Sequence, residues 1–237
     1  MTSDWIRSRM QNPTLVRVAP FTAFMLFIAV EEFLAYLHIY QFINYDEMLR
    51  NWLYLPKAAA AGILLIIFRR HYLELDLHEL LRPRSLLLSL AAGITISLLW
   101  INMDWTLSSQ IVPKGFDPAT FQEGPTRTFM IGLRCFGAII IVPIMEELFW
   151  RSFLLRYLID RDFMTVTIGR LTWFSVVATC LLFGLEHHYF FAGVMAGIIF
   201  SLVYSLTKSI VHCIFCHAVA NLCLAIYVLN TAQWRYW

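Results

Sequence analysis

The sequence predicts an all-α fold, a polytopic transmembrane helical bundle of about seven spans. Three observations predict it. The composition is 59% hydrophobic and 14% charged, whereas a soluble domain is nearer half apolar and a quarter charged. The mean hydropathy is +0.66. The apolar residues also fall in continuous runs of about 20, the length a helix needs to cross a bilayer. Runs this long, without alternation, exclude the strands of a closed barrel, the other structure able to span.

The spans are expected at roughly 18–40, 52–68, 85–101, 129–158, 171–187, 190–206 and 209–230. The first carries Glu31 and Glu32 and lacks a small-residue cleavage site, so it is expected to be retained rather than removed as a signal peptide. Between the second and third, Leu73, Leu75, Leu77, Leu80 and Leu81 recur among charges, which predicts a short interfacial amphipathic helix. The segment 102–128, with Pro113, Gly115, Pro118, Gly124 and Pro125, reads as an irregular loop. The chain therefore divides into residues 1–128, which carry helices without a motif, and 129–237, which carry all the motifs below. With the N-terminus cytoplasmic, Arg7, Arg9, Arg17, Arg69, Arg70, Arg82, Arg84, Arg151, Arg156, Arg161, Arg170 and Lys208 fall on the inside, twelve of the 18 basic residues. Trp5, Trp52, Trp100, Trp105, Trp234 and Trp237 lie near span ends, as interfacial aromatics do.

The net charge is +2, and the basic residues are scattered, so there is no nucleic-acid footprint. The five cysteines lie in apolar stretches, which argues against a disulfide framework. Cys213, Cys216 and His217 form a CxxCH pattern, the signal for c-type haem attachment. It falls inside an apolar run, however, where the two thiols read as packing residues. Gly193 and Gly197 are four apart and fit close helix packing.

Ionisable groups at membrane depth are costly and mark functional sites. The fourth run holds Glu146, Glu147 and Arg151. Arg151 follows Glu147 by four residues, the spacing at which a pair meets on one helix face. Glu146 points about 100° away. Glu147 is thus neutralised by Arg151, and Glu146 is left free to face a cavity and act on a proton. In the fifth run Phe183 and His187 share a face, with Glu186 and His188 beside them. In the seventh, His217 and Asn221 lie on one stripe. These two suit either hydrogen bonds to a developing oxyanion or ordinary bonds to a neighbouring helix. Glu31 and Glu32, with no arginine at the right spacing, read as cavity-lining, contact-sealing or substrate-binding groups rather than catalytic ones.

Taken in order, EExxxR (Glu146, Glu147, Arg151), FxxxH (Phe183, His187) and HxxxN (His217, Asn221) on three apolar helices resemble the CPBP family of intramembrane proteases. That family includes the CAAX proteases, among them the Rce1-type endopeptidases, and bacteriocin-processing enzymes. The resemblance covers about residues 129–230. It implies an intramembrane endopeptidase acting on a membrane-bound peptide or a lipidated, CAAX-type protein. Glu146 would activate water, with His187 assisting. His217 and Asn221 would stabilise the oxyanion, Glu147 and Arg151 would hold the site's shape, and Phe183 would pack near His187. The cofactor expectation is none, with zinc on Glu146, His187 and His217 as the metal-dependent alternative; no HExxH is present. The competing functions are a non-catalytic immunity or scaffold protein on the same fold, and a proton-coupled transporter. The expected location is the plasma (inner) membrane with the N-terminus cytoplasmic. One tension remains. Straight, full-length spans would leave His187 near the outer end of the fifth run and His217 about 12 Å from the inner end of the seventh. One helix is therefore expected to be tilted, broken or shorter.

Overall fold

The computed structural model describes residues 12–106 and 115–237. Trp5, Arg7, Arg9 and Pro113 lie outside the described residues. Seven apolar helices account for the fold: α1 (Pro13–Ile39), α2 (Glu47–Phe68), α3 (Pro83–Asn102), α4 (Pro125–Tyr157), α5 (Trp173–Glu186), α6 (Phe190–Thr207) and α7 (Ile210–Thr231). Six of them are long and apolar enough to cross a membrane; α5, with 14 residues, is not.

The helix starts follow local chemistry. Asn12 caps α1, its Oδ1 accepting from Thr14 N at 2.9 Å, and Pro13 occupies the first helical position, so the span begins five residues before its expected start. Asp46 caps α2 through Leu49 N at 2.8 Å. Thr172 and Ser175 form a reciprocal capping box that starts α5 at Trp173, later than its apolar run suggests. Ser209 caps α7 through His212 N at 3.2 Å. Lys208, in the left-handed conformation at φ 52°, ends α6.

Small residues let the helices approach. A Cβ on Gly93 would stand 2.5 Å from the Cys216 carbonyl oxygen, which marks the close α3–α7 contact. One on Gly193 would stand 2.9 Å from Gly184 Cα, and one on Gly197 would stand 3.2 Å from Cys180 Cα. Both glycines of the expected packing motif thus face α5. Glu31 seals the α1–α2 contact: Lys57 Nζ donates to both of its oxygens at 2.9 and 2.8 Å. Glu32 is exposed.

The connection between α2 and α3 differs from expectation. It is two short 3₁₀ turns, Arg69–His71 and Leu77–Leu81, rather than an amphipathic α-helix. The reason is tertiary. Tyr72 Oη donates to Val16 O at 2.8 Å, Leu75 packs into the core, and Glu74 accepts two hydrogen bonds from Arg17, at 2.8 and 2.7 Å. Glu74 is also hydrogen-bonded to Ser152 Oγ on α4. Three inward pegs within four residues, on more than one helix face, prevent a continuous amphipathic helix.

Arg17 and Glu74 are almost fully buried, with side chains 1% and 5% exposed. Burial works against the ionised carboxylate, but the Arg17 hydrogen bonds prevail and hold Glu74 below the usual carboxylate value. Because the folded state depresses this group, its contribution to stability is complete at neutral pH. It is lost as pH falls below about 4, through the folded value. Arg17→Met should cost about 3–5 kcal/mol by stranding a buried charge. Glu74→Gln should flatten the acid limb of a thermal-melt pH series. A wild-type acid limb in Glu74→Gln would contradict this account.

Candidate active site

The motif-bearing helix α4 is not a regular α-helix. It widens to π geometry over Gly137–Ile141 and again over Leu148–Leu154, on either side of the Glu146–Glu147 pair. π segments are rare and tend to occur at functional sites. The first has an identifiable cause. Pro143 lacks an N–H, so the carbonyls one turn before it lose a partner. In the five-residue register of a π turn that partner falls at Ala138. Asn221 Nδ2 of α7 donates to Ala138 O at 2.7 Å, standing in for the missing proline donor. The expected effect of Pro143 is thus a widened turn, pinned from α7.

Glu147 is fully buried and Arg151 is 3% exposed. Arg151 Nη1 donates to Glu147 Oε1 at 3.0 Å. Its guanidinium carbon lies 4.9 Å from the Phe183 ring centre and 4.8 Å from that of Phe200, and Nη2 reaches the Gly197 carbonyl at 3.5 Å. Arg151 therefore clamps α4 to both α5 and α6. The same Glu147 Oε1 lies 2.9 Å from His217 Nδ1. A carboxylate at this nitrogen accepts from Nδ1–H and turns Nε2 outward.

His217 Nε2 faces Glu146 Oε2 at 4.0 Å. Glu146 is 5% exposed, and its Oε2 has no hydrogen-bond partner among the described residues. Glu147 differs in that its Oε1 is engaged by both Arg151 and His217, the arginine at the spacing the motif predicts, although its Oε2 is also buried without a partner among the described residues. A separation of 4.0 Å is too long for a direct bond, yet one water bonded to both atoms closes the triangle.

His187 sits on the extended residue that ends α5 (φ −107°, ψ 141°). Its Nδ1 lies 2.7 Å from the Phe183 carbonyl oxygen, so Nδ1–H donates there and Nε2 is the acceptor. The ring folds back one turn, 4.7 Å from the Phe183 ring, which in turn lies 6.4 Å from His217. This resolves the depth problem. The 14-residue α5 rises only about 21 Å, short of a bilayer core of about 30 Å, and His187 then reaches back along it. Phe183 is the spacer between the two imidazoles, and the structure brings six of the seven motif residues together, while Asn221, one turn along α7 from His217, bonds the Ala138 carbonyl.

Other residues in the site carry weaker sequence signals. Trp100, expected only as an interfacial aromatic, meets His187 edge-on at 5.2 Å. Phe200 lies 4.8 Å from His217, and nothing in the sequence marks it. Glu186 interacts electrostatically with Glu146, and its Oε2 is likewise buried without a partner. Its three-residue spacing from Phe183, which places both on one face of α5, was the available signal. Cys213 and Cys216 are fully buried in α7, and Cys213 Sγ donates to Ser209 O at 3.3 Å; neither thiol can reach a porphyrin edge.

The residues expected to hold zinc do not stand at ligand spacing in this arrangement. Ligand atoms on one tetrahedral zinc stand within about 3.5 Å of each other, whereas His217 Nε2 and Glu146 Oε2 are 4.0 Å apart. Among the described residues no three His, Cys, Asp or Glu side chains converge as a metal-binding group. No step below runs through a metal.

No curated protein and no solved structure matches the chain. A family model does match, that of the type II CAAX prenyl endopeptidase Rce1-like proteins, over residues 128–223. That interval begins on α4 and ends on α7, so it contains every charged or polar motif residue described above. Over residues 128–223, less than half of its length, this membrane-embedded chain is similar to the Rce1-like protease family.

Proposed function

We propose that the protein is an intramembrane endopeptidase that hydrolyses a peptide bond in a membrane-anchored, lipidated substrate of the CAAX type. The observation that supports this best is the division of labour among five polar groups inside the bundle. Glu147 and Arg151 are consumed by structural partners. Glu146 and the Nε2 atoms of His217 and His187 each keep an atom for chemistry.

In this reading Glu146 takes a proton from a water held between it and His217. The resulting hydroxide adds to the scissile carbonyl. His187 Nε2, an acceptor because Nδ1–H is engaged, orients that water. His217, with Glu147 behind it to balance imidazolium charge, donates from Nε2 to the tetrahedral oxygen. Asn221 holds α4 in register through Ala138, and its second N–H serves the same oxyanion. Glu146 then returns its proton to the leaving amine, so the proton count closes over one turnover. The site lies inside the bundle, which favours a substrate held in the bilayer. The proposed orientation places the N-terminus in the cytoplasm, in the plasma membrane.

The chemistry is metal-free in this proposal. Extended dialysis against a zinc chelator should leave the initial rate of the purified protein within about twofold of the untreated rate. Loss of activity restored by added zinc would sink the metal-free mechanism. N-terminal mapping of membrane peptides from wild-type and Glu146→Gln cells should show fragments unique to the wild type, which name the substrate. Identical peptide sets would refute the assignment.

A further inference from the structure

The connection between α2 and α3 holds a feature that the catalytic helices do not use. It joins two spans, so it lies at a bilayer surface. Leu73, Leu77 and Leu81 are 83%, 71% and 77% exposed there. Exposed leucines usually accompany a loose segment, but this one is fastened. Tyr72, Glu74 and Leu75 are pegged into α1, α4 and the core, and His212 Nε2 lies 3.0 Å from the Glu79 carbonyl oxygen. The inward pegs force the three leucines outward in a fixed array.

Charge surrounds that array. Arg69, Arg70 and Arg84 are exposed at its two ends. Arg82 is committed to Glu79 at 2.6 Å, and Asp76 to His78 at 2.8 Å. Glu74 is neutralised by Arg17. The free charge of the connection is therefore positive, carried by three arginines beside an apolar ridge. A protein surface would cover the leucines but has no reason to lie at a span terminus. The bilayer already lies there, and its phosphates complement the arginines.

We infer that the 69–84 connection is a preformed docking element for anionic lipid headgroups, its leucines seated at the acyl boundary and Arg69, Arg70 and Arg84 binding phosphate. The inference is independent of the protease reading and is tested without any activity assay. The full-length protein is reconstituted in nanodiscs containing equal phosphatidylcholine and phosphatidylglycerol, and the lipids it retains are counted by native mass spectrometry. Wild type should retain phosphatidylglycerol preferentially. Each of Arg69→Gln, Arg70→Gln and Arg84→Gln should lower that preference, roughly fivefold per arginine for fully engaged contacts. Leu73→Ser, Leu77→Ser and Leu81→Ser together should lower retention of both lipids while keeping the preference between them. Arg127→Gln, at the start of α4 and remote from this connection, should change nothing. Circular dichroism confirms folding of each variant. No preference in wild type, or an unchanged preference in the triple arginine variant, overturns the inference. So does displacement of phosphatidylglycerol by millimolar inorganic phosphate, which would mark a free-anion site instead.

Discussion

Glu146→Gln is expected to lower turnover by roughly 10²–10⁴-fold while leaving the bundle as stable as wild type or slightly more stable. The two halves of that expectation come from one observation. Glu146 is 5% exposed, and its Oε2 has no partner among the described residues. A buried carboxylate without a partner contributes nothing to folding and opposes it when ionised. A glutamine of the same shape removes that opposition and cannot accept a proton from water. Loss of activity with unchanged or raised thermal stability is the signature of a group kept for chemistry. A large fall in stability would instead mark Glu146 as a structural residue.

Arg151→Met should behave in the opposite way. It should destabilise the protein by about 3–5 kcal/mol, because Glu147 is fully buried and loses the guanidinium that balances it. The guanidinium also bridges Phe183, Phe200 and the Gly197 carbonyl, so the α4–α5–α6 junction loosens with it. Adding Glu147→Gln to Arg151→Met removes the stranded charge and should restore much of the stability. It should not restore activity, because His217 would lose the carboxylate that holds its Nδ1–H and balances its charge. Thermal melts of the two single variants and the double variant measure the coupling directly. Additive losses would show that the pair does not act as a unit.

These expectations trace back unevenly to the sequence. The helical membrane bundle was legible because composition and run length leave no other solution in a bilayer. The free and paired roles of Glu146 and Glu147 were legible because a four-residue spacing on a helix is a local, geometric fact. The way His187 and His217 meet was not legible. It depends on the capping box at Thr172 and Ser175 that shortens α5, and on the ring of His187 folding back onto Phe183 O. The first is a local signal easily lost inside an apolar run, and the second is tertiary. Asn221 illustrates the same limit. Its spacing from His217 marks a shared stripe, but its bond to Ala138 answers a carbonyl that a proline on another helix left unpaired. The α2–α3 connection failed as an amphipathic helix because Arg17, 57 residues before Glu74, draws the chain inward. Periodicity carries no information about a partner that distant.

The central claim is that Glu146 activates a water for peptide hydrolysis inside the bundle. The most direct test is cleavage of a prenylated, membrane-anchored peptide by the purified protein in liposomes, in water enriched in oxygen-18. Wild type should release a C-terminal fragment and leave one heavy oxygen in the new carboxyl terminus, and Glu146→Gln should release none above background. Equal cleavage by both proteins, or no cleavage by folded wild type across lipidated peptides with varied C-terminal sequences, would contradict the account.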